Sequence, residues 1–157
     1  MVTPILILIL LVLPLLIAFI GARSKQAPVN VCLYACRGLA MTFFFFAVGH
    51  FVKTDGMVVM MPEWVPYRYF WVYVTGVLEV LIGFGLLLKR YQLLASRFAI
   101  AIFISFFPVN IYAAWHGFGL GGHQWGLVYL WIRAPLQLIL IGWAYFLCIK
   151  PLIGRTQ

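Results

Sequence analysis

Residues 70–90 read FWVYVTGVLEVLIGFGLLLKR. From Phe70 to Leu88 the run carries one charge, Glu79, before Lys89 and Arg90 close it. An apolar run of about 20 residues is what a helix needs to cross the hydrocarbon core of a bilayer. A carboxylate in its middle is costly, and residues of that kind inside a span face the bundle interior and mark function. The stretch predicts a membrane-crossing helix with a built-in question: what Glu79 faces.

The rest of the chain agrees with a membrane reading. Its 157 residues are one domain's worth. Apolar residues make up 66% and charged residues 9%, against roughly 45–50% and about 25% in soluble domains. This excludes soluble classes and makes the lipid bilayer the first partner. The net charge of +8 raises nucleic acid as a partner, but no cluster of five or more Lys/Arg appears. Basic residues in a membrane protein mark cytoplasmic loops instead.

Five spans are predicted, over 3–21, 33–52, 69–88, 93–116 and 125–148. The first lacks the basic leading region of a cleaved signal peptide and reads as an uncleaved anchor. With the N-terminus outside, the inner side holds Arg23, Lys25, Arg37, Lys89, Arg90, Arg97, Lys150 and Arg155. The outer side holds Lys53, Arg68 and Arg133. That bias puts the C-terminus in the cytoplasm and predicts a multi-pass protein of the inner (plasma) membrane. Cys32, Cys36 and Cys148 then fall near the cytoplasmic face, where thiols stay reduced. The spacing in CLYAC (32–36) is C-x-x-x-C, not the redox C-x-x-C, and small buried hydrophobes are the simpler reading. The segment 53–68 is apolar and aromatic, with Pro62 and Pro66 as breakers. It predicts a re-entrant or interfacial lid, with Trp64 at headgroup level.

Helical phase gives Glu79 a direction. Gly76, Glu79, Val80 and Gly83 share one face, and small residues mark close packing between membrane helices. Glu79 lies roughly 13 Å inside Phe70 at 1.5 Å per residue. Tyr129, Arg133 and Gln137 form a stripe at i, i+4 and i+8 on the last span, and Arg133 reaches a similar depth. An Arg133–Glu79 pair is therefore allowed, and the planar guanidinium suits a carboxylate. Asn110 and Tyr112 approach from the fourth span, and His50 sits shallower, near the outer end of the second. These groups predict a polar pocket in the outer half under an aromatic lid.

Each has a plainer reading. Glu79 and Arg133 can be a structural bridge that fixes helix registry. Asn110 and Gln137 can be interhelical hydrogen-bond glue, and His50 can bond a nearby carbonyl. His50, His116 and His123 show no metal or haem spacing, so no metal is expected. The Gly-rich run GFGLGGH (117–123) lacks the strand and lysine of a phosphate loop.

Four motifs resemble the DoxX-like family of small bacterial membrane proteins: AVGHF (47–51), PEWVPYRYFWVYVTGVLEVLIGFGLLL (62–88), FPVNIYAAWHG (107–117) and RAPLQLILIGWAYF (133–146). The resemblance covers about residues 35–148. It implies an all-α polytopic transmembrane bundle with a four-helix core over 33–157. Residues 1–32 are then an additional N-terminal anchor helix and cytoplasmic loop. It also marks His50, Glu79, Asn110, Arg133 and Gln137 as motif positions. The family implies fold firmly and function loosely.

The leading expectation is a small membrane protein that binds a hydrophobic redox molecule such as a quinone and serves a membrane or soluble oxidoreductase. Glu79 and His50 are the candidate catalytic residues. Arg133, Gln137, Asn110, Tyr112, Tyr129 and Trp64 are the candidate ligand-binding residues. No intrinsic cofactor is expected, since neither a haem motif nor a dinucleotide fingerprint is present. The rival reading is a non-catalytic partner subunit or assembly factor, alone or as a homo-oligomer. A third is an isomerase or small-solute transporter using Glu79 as acid and base.

Overall fold

The longest apolar runs of the chain become its longest helices. The computed structural model describes residues 2–26, 28–117 and 126–154. Helices α1 (Val2–Lys25), α2 (Val31–Val52), α4 (Arg68–Leu87), α5 (Gln92–His116) and α6 (Leu127–Trp143) form the bundle, and a seven-residue helix α3 (Thr54–Met60) follows α2. A π-helical turn (Ala144–Ile149) and a short helix α7 (Lys150–Ile153) extend α6. No strand occurs among the described residues. Five helical stretches, the last spanning α6 to α7, are long and apolar enough to cross a membrane.

The helix ends fall where the sequence supplies stops. Asn30 Oδ1 accepts from the Leu33 amide at 3.2 Å and opens α2. Tyr67, with φ of 53°, turns the chain into α4. Gln92 Nε2 donates to the Leu86 carbonyl at 3.1 Å, which satisfies one of the open carbonyls at the end of α4. Pro151 lacks an N–H for the Leu147 carbonyl, and its ring crowds that carbonyl. The wider π turn lies over the residues just before it, which were expected to be a plain α-helical end.

The central packing is α2 against α4, with α5 and the π turn behind them. Two glycines of α4 permit it. A Cβ on Gly76 would stand 2.8 Å from the His50 Cβ, and one on Gly83 would stand 2.8 Å from the Phe44 ring. The small-residue face around Glu79 therefore seats α2. Leu39, Phe43, Ile82, Leu86, Phe103 and Ala144 build the apolar core below it.

Helix α1 packs chiefly on α2. Its stripe Thr3, Ile7 and Leu11 turns inward, with Ile7 and Leu11 fully buried. Leu11 lies so close to Gly38 that a side chain there would run into the Leu11 carbonyl. Most of the remaining α1 surface is apolar and exposed. At the end of the bundle away from α3, Cys32, Cys36 and Cys148 are buried and form no disulfide, and the Cys32 thiol points at the Cys148 carbonyl.

Candidate functional site

The segment between α2 and α4, expected as a lid, folds into helix α3 and a turn. Thr54 is buried and its hydroxyl donates to the His50 carbonyl at 2.7 Å. Tyr69 at the start of α4 donates its hydroxyl to Asp55 Oδ1 at 3.0 Å, tying α3 to α4. Met57, Met60 and Met61 turn inward from this lid. Methionine is flexible and polarizable, so such a lid adapts to shape.

Beneath α3 lies a cavity of about 540 Å³ whose lining is mostly apolar. Every bundle helix contributes to it, including Thr3 and Ile7 of α1. Its polar groups are His50, Glu79, Asn110, Tyr129, Arg133 and Gln137, with Lys53 and Thr75 beside them. A largely apolar pocket with a few converging polar groups is the usual form of a small-molecule site.

Glu79 is 2% exposed and faces this cavity, so its carboxylate turns into the bundle and away from lipid. The partner at ion-pair distance is His50, whose Nδ1 lies 3.0 Å from Glu79 Oε2. The same Nδ1 lies 3.2 Å from the Phe46 carbonyl, four residues back on α2. With the N–H on that carbonyl, the approach to Glu79 is oblique, and Oε2 is left without a hydrogen bond. The allowed Arg133–Glu79 ion pair does not form. The reason is the glycine face: Gly76 brings the stem of His50 against α4, so α2 supplies the near partner. His50 is also buried, at 9% exposure, because α3 covers the end of α2.

Arg133 lines the same cavity farther off, and its Nε is buried without a partner. Gln137 donates its amide to the Phe103 carbonyl, a bond between α6 and α5 of the glue kind. Asn110 and Tyr129 are buried in the cavity wall. Two expected ligand residues stand apart from it. Tyr112 packs against His116, with ring centroids 4.2 Å apart and the rings tilted by 36°. Trp64 is 81% exposed in the turn after α3. Neither lines the cavity. Among the described residues no group of three His, Cys, Asp or Glu is placed to hold a metal; His123 lies outside them.

Thr75, Lys53 and the three lid methionines are among the lining residues that sequence reasoning did not assign to the pocket. Thr75 sits one helical turn before Glu79, so the phase that oriented Glu79 also orients it. The methionines had no such signal, because α3 is too short to show a period.

The ionisable residues of the cavity all fall between positions 50 and 137. Residues 39–148, more than half of the chain, match a family model described as a domain of unknown function, DUF8561. The chain belongs to this family. The family segment opens within α2 and ends in the π turn, so it contains His50, Glu79, Asn110 and Arg133 and leaves α1 outside. The chain matches no curated protein and no solved structure.

Proposed function

We propose that this protein binds a hydrophobic redox molecule of the quinone class in the cavity beneath α3 and serves a membrane oxidoreductase system. The observation that carries the reading is the cavity itself: an apolar chamber that holds a buried carboxylate, an imidazole and a guanidinium at one end. A flat ring enters among Phe46, Phe103 and Phe106. Arg133 donates to a ring oxygen. Glu79 is placed to hand a proton to the ligand or take one from it, and His50 links Glu79 to the rim near Lys53. In this reading electrons come from the partner enzyme. Kinship with the DoxX-like proteins is part of this proposal, supported by the four sequence motifs. So is the setting: a multi-pass protein of the inner membrane, its N-terminus outside and its C-terminus in the cytoplasm, supported by the asymmetry of its Lys and Arg.

The test is a titration of purified protein in nanodiscs with a short-tailed ubiquinone analogue, followed by tryptophan fluorescence. Saturable binding is expected, weakened roughly tenfold or more in Arg133→Ala, where a buried charged donor is lost. A specific observation favours a second reading as partner subunit or assembly factor. Both the His50–Glu79 contact and the Gln137–Phe103 bond join separate helices, as a purely structural network would. Under that reading the variants unfold more easily or lose a co-purifying enzyme, and no analogue binds.

A further inference from the structure

The polar end of the cavity is unevenly satisfied. Glu79 Oε2 is buried and accepts no hydrogen bond, and Arg133 Nε is buried and gives none. Both side chains face the same chamber without pairing with each other. Two of their polar neighbours make contacts elsewhere: His50 Nδ1 lies 3.2 Å from the Phe46 carbonyl, and Gln137 donates an amide N–H to the Phe103 carbonyl. Buried polar groups are as a rule hydrogen-bonded, and each exception calls for an explanation.

One kind of ligand head answers both atoms at once. It must give a hydrogen bond to a carboxylate oxygen and accept one from a guanidinium. A ring carbonyl only accepts: it suits Arg133 but sets its lone pairs against those of Glu79. A ring hydroxyl does both. The body of the ligand is apolar, because the lining of the same cavity includes Phe46, Phe103, Phe106, Leu136 and the lid methionines.

We infer that the cavity selects the hydroxyl form of an aromatic ring, a quinol or related phenol, over the corresponding carbonyl form. Glu79 accepts the ligand O–H, and Arg133 donates to a ring oxygen. This rests on the redox-molecule reading above and adds a direction to it: the protein retains the reduced member of the couple. A site built to pair a ligand hydroxyl rejects analogues that lack it, because its own buried groups are then left unpaired.

Three probes test this in anaerobic nanodiscs: a decyl-substituted benzoquinone, its quinol, and the dimethyl ether of that quinol. The quinol is expected to bind roughly tenfold or more tightly than either of the others. Saturable binding with equal affinities, or with the quinone ahead, overturns this inference and leaves the redox-molecule reading standing. Failure of all three probes to bind overturns both. In Glu79→Gln the gap between quinol and quinone is expected to narrow, since the new amide N–H serves a carbonyl. The wild-type comparison decides the matter even if that variant does not fold.

Discussion

Replacing Gly76 with alanine tests how the site is assembled. The added Cβ would stand 2.8 Å from the His50 Cβ, where carbon atoms in contact settle at about 3.5–4.0 Å. The His50 Cβ is fixed to the α2 backbone, so no side-chain rotation relieves the clash and the two helices must part by about 1 Å. Overpacking of this kind costs about 1–3 kcal/mol. Better helix propensity returns about 1 kcal/mol, which leaves a net loss of up to about 2 kcal/mol. On the soluble-protein scale for a chain of this length, that lowers the unfolding midpoint by up to about 8 °C. The same separation pulls His50 away from Glu79, 3.0 Å away in the native site. Gly83→Ala should cost less, because its neighbour is the Phe44 ring, which can tilt. Gly142→Ala meets nothing within 4 Å and serves as the control. The measurement is thermal unfolding in one detergent at one scan rate. If Gly76→Ala unfolds no earlier than Gly142→Ala, then α4 does not seat α2 through this glycine and the account of the His50–Glu79 contact is wrong.

Two other outcomes follow from the packing. Gln137→Leu removes the bond to the Phe103 carbonyl and should cost about 0.6–1.7 kcal/mol, the range of interhelical hydrogen bonds in membranes; an unchanged midpoint would show that the bond contributes nothing. Cys32, Cys36 and Cys148 are 4%, 0% and 0% exposed, so a maleimide should label none of them in folded protein and all three in SDS. Rapid labelling of the folded protein would mean that the thiol end of the bundle opens.

Residue by residue, what the sequence revealed depended on the range of the interaction. The spans were legible because a membrane helix announces itself by length and apolarity, both local properties. That Glu79 turns inward was legible too, since Gly76 and Gly83 lie on its face and helical phase is also local. Its partner was not. Phase tells which face of α4 packs, not which helix arrives there, and depth counted from the span ends favoured Arg133. The deciding fact is nonlocal: α2 approaches Gly76 closely enough to bring His50 across. Trp64 shows the opposite error. It suits a lid by residue type, yet the residues of that segment that line the cavity include Met57, Met60 and Met61, in and just after α3, a helix of two turns that carries no readable period.

Two parts of the chamber come from different parts of the chain. Its ionisable groups stand on or at the end of α2, on α4 and on α6, while Thr3 and Ile7 of α1 supply no charge, from outside the family segment. Size and chemistry are therefore adjustable independently. A smaller residue at position 7 enlarges the chamber without moving a charge, and a larger one narrows it. In this architecture the first helix sets the bore, and other helices carry the charges.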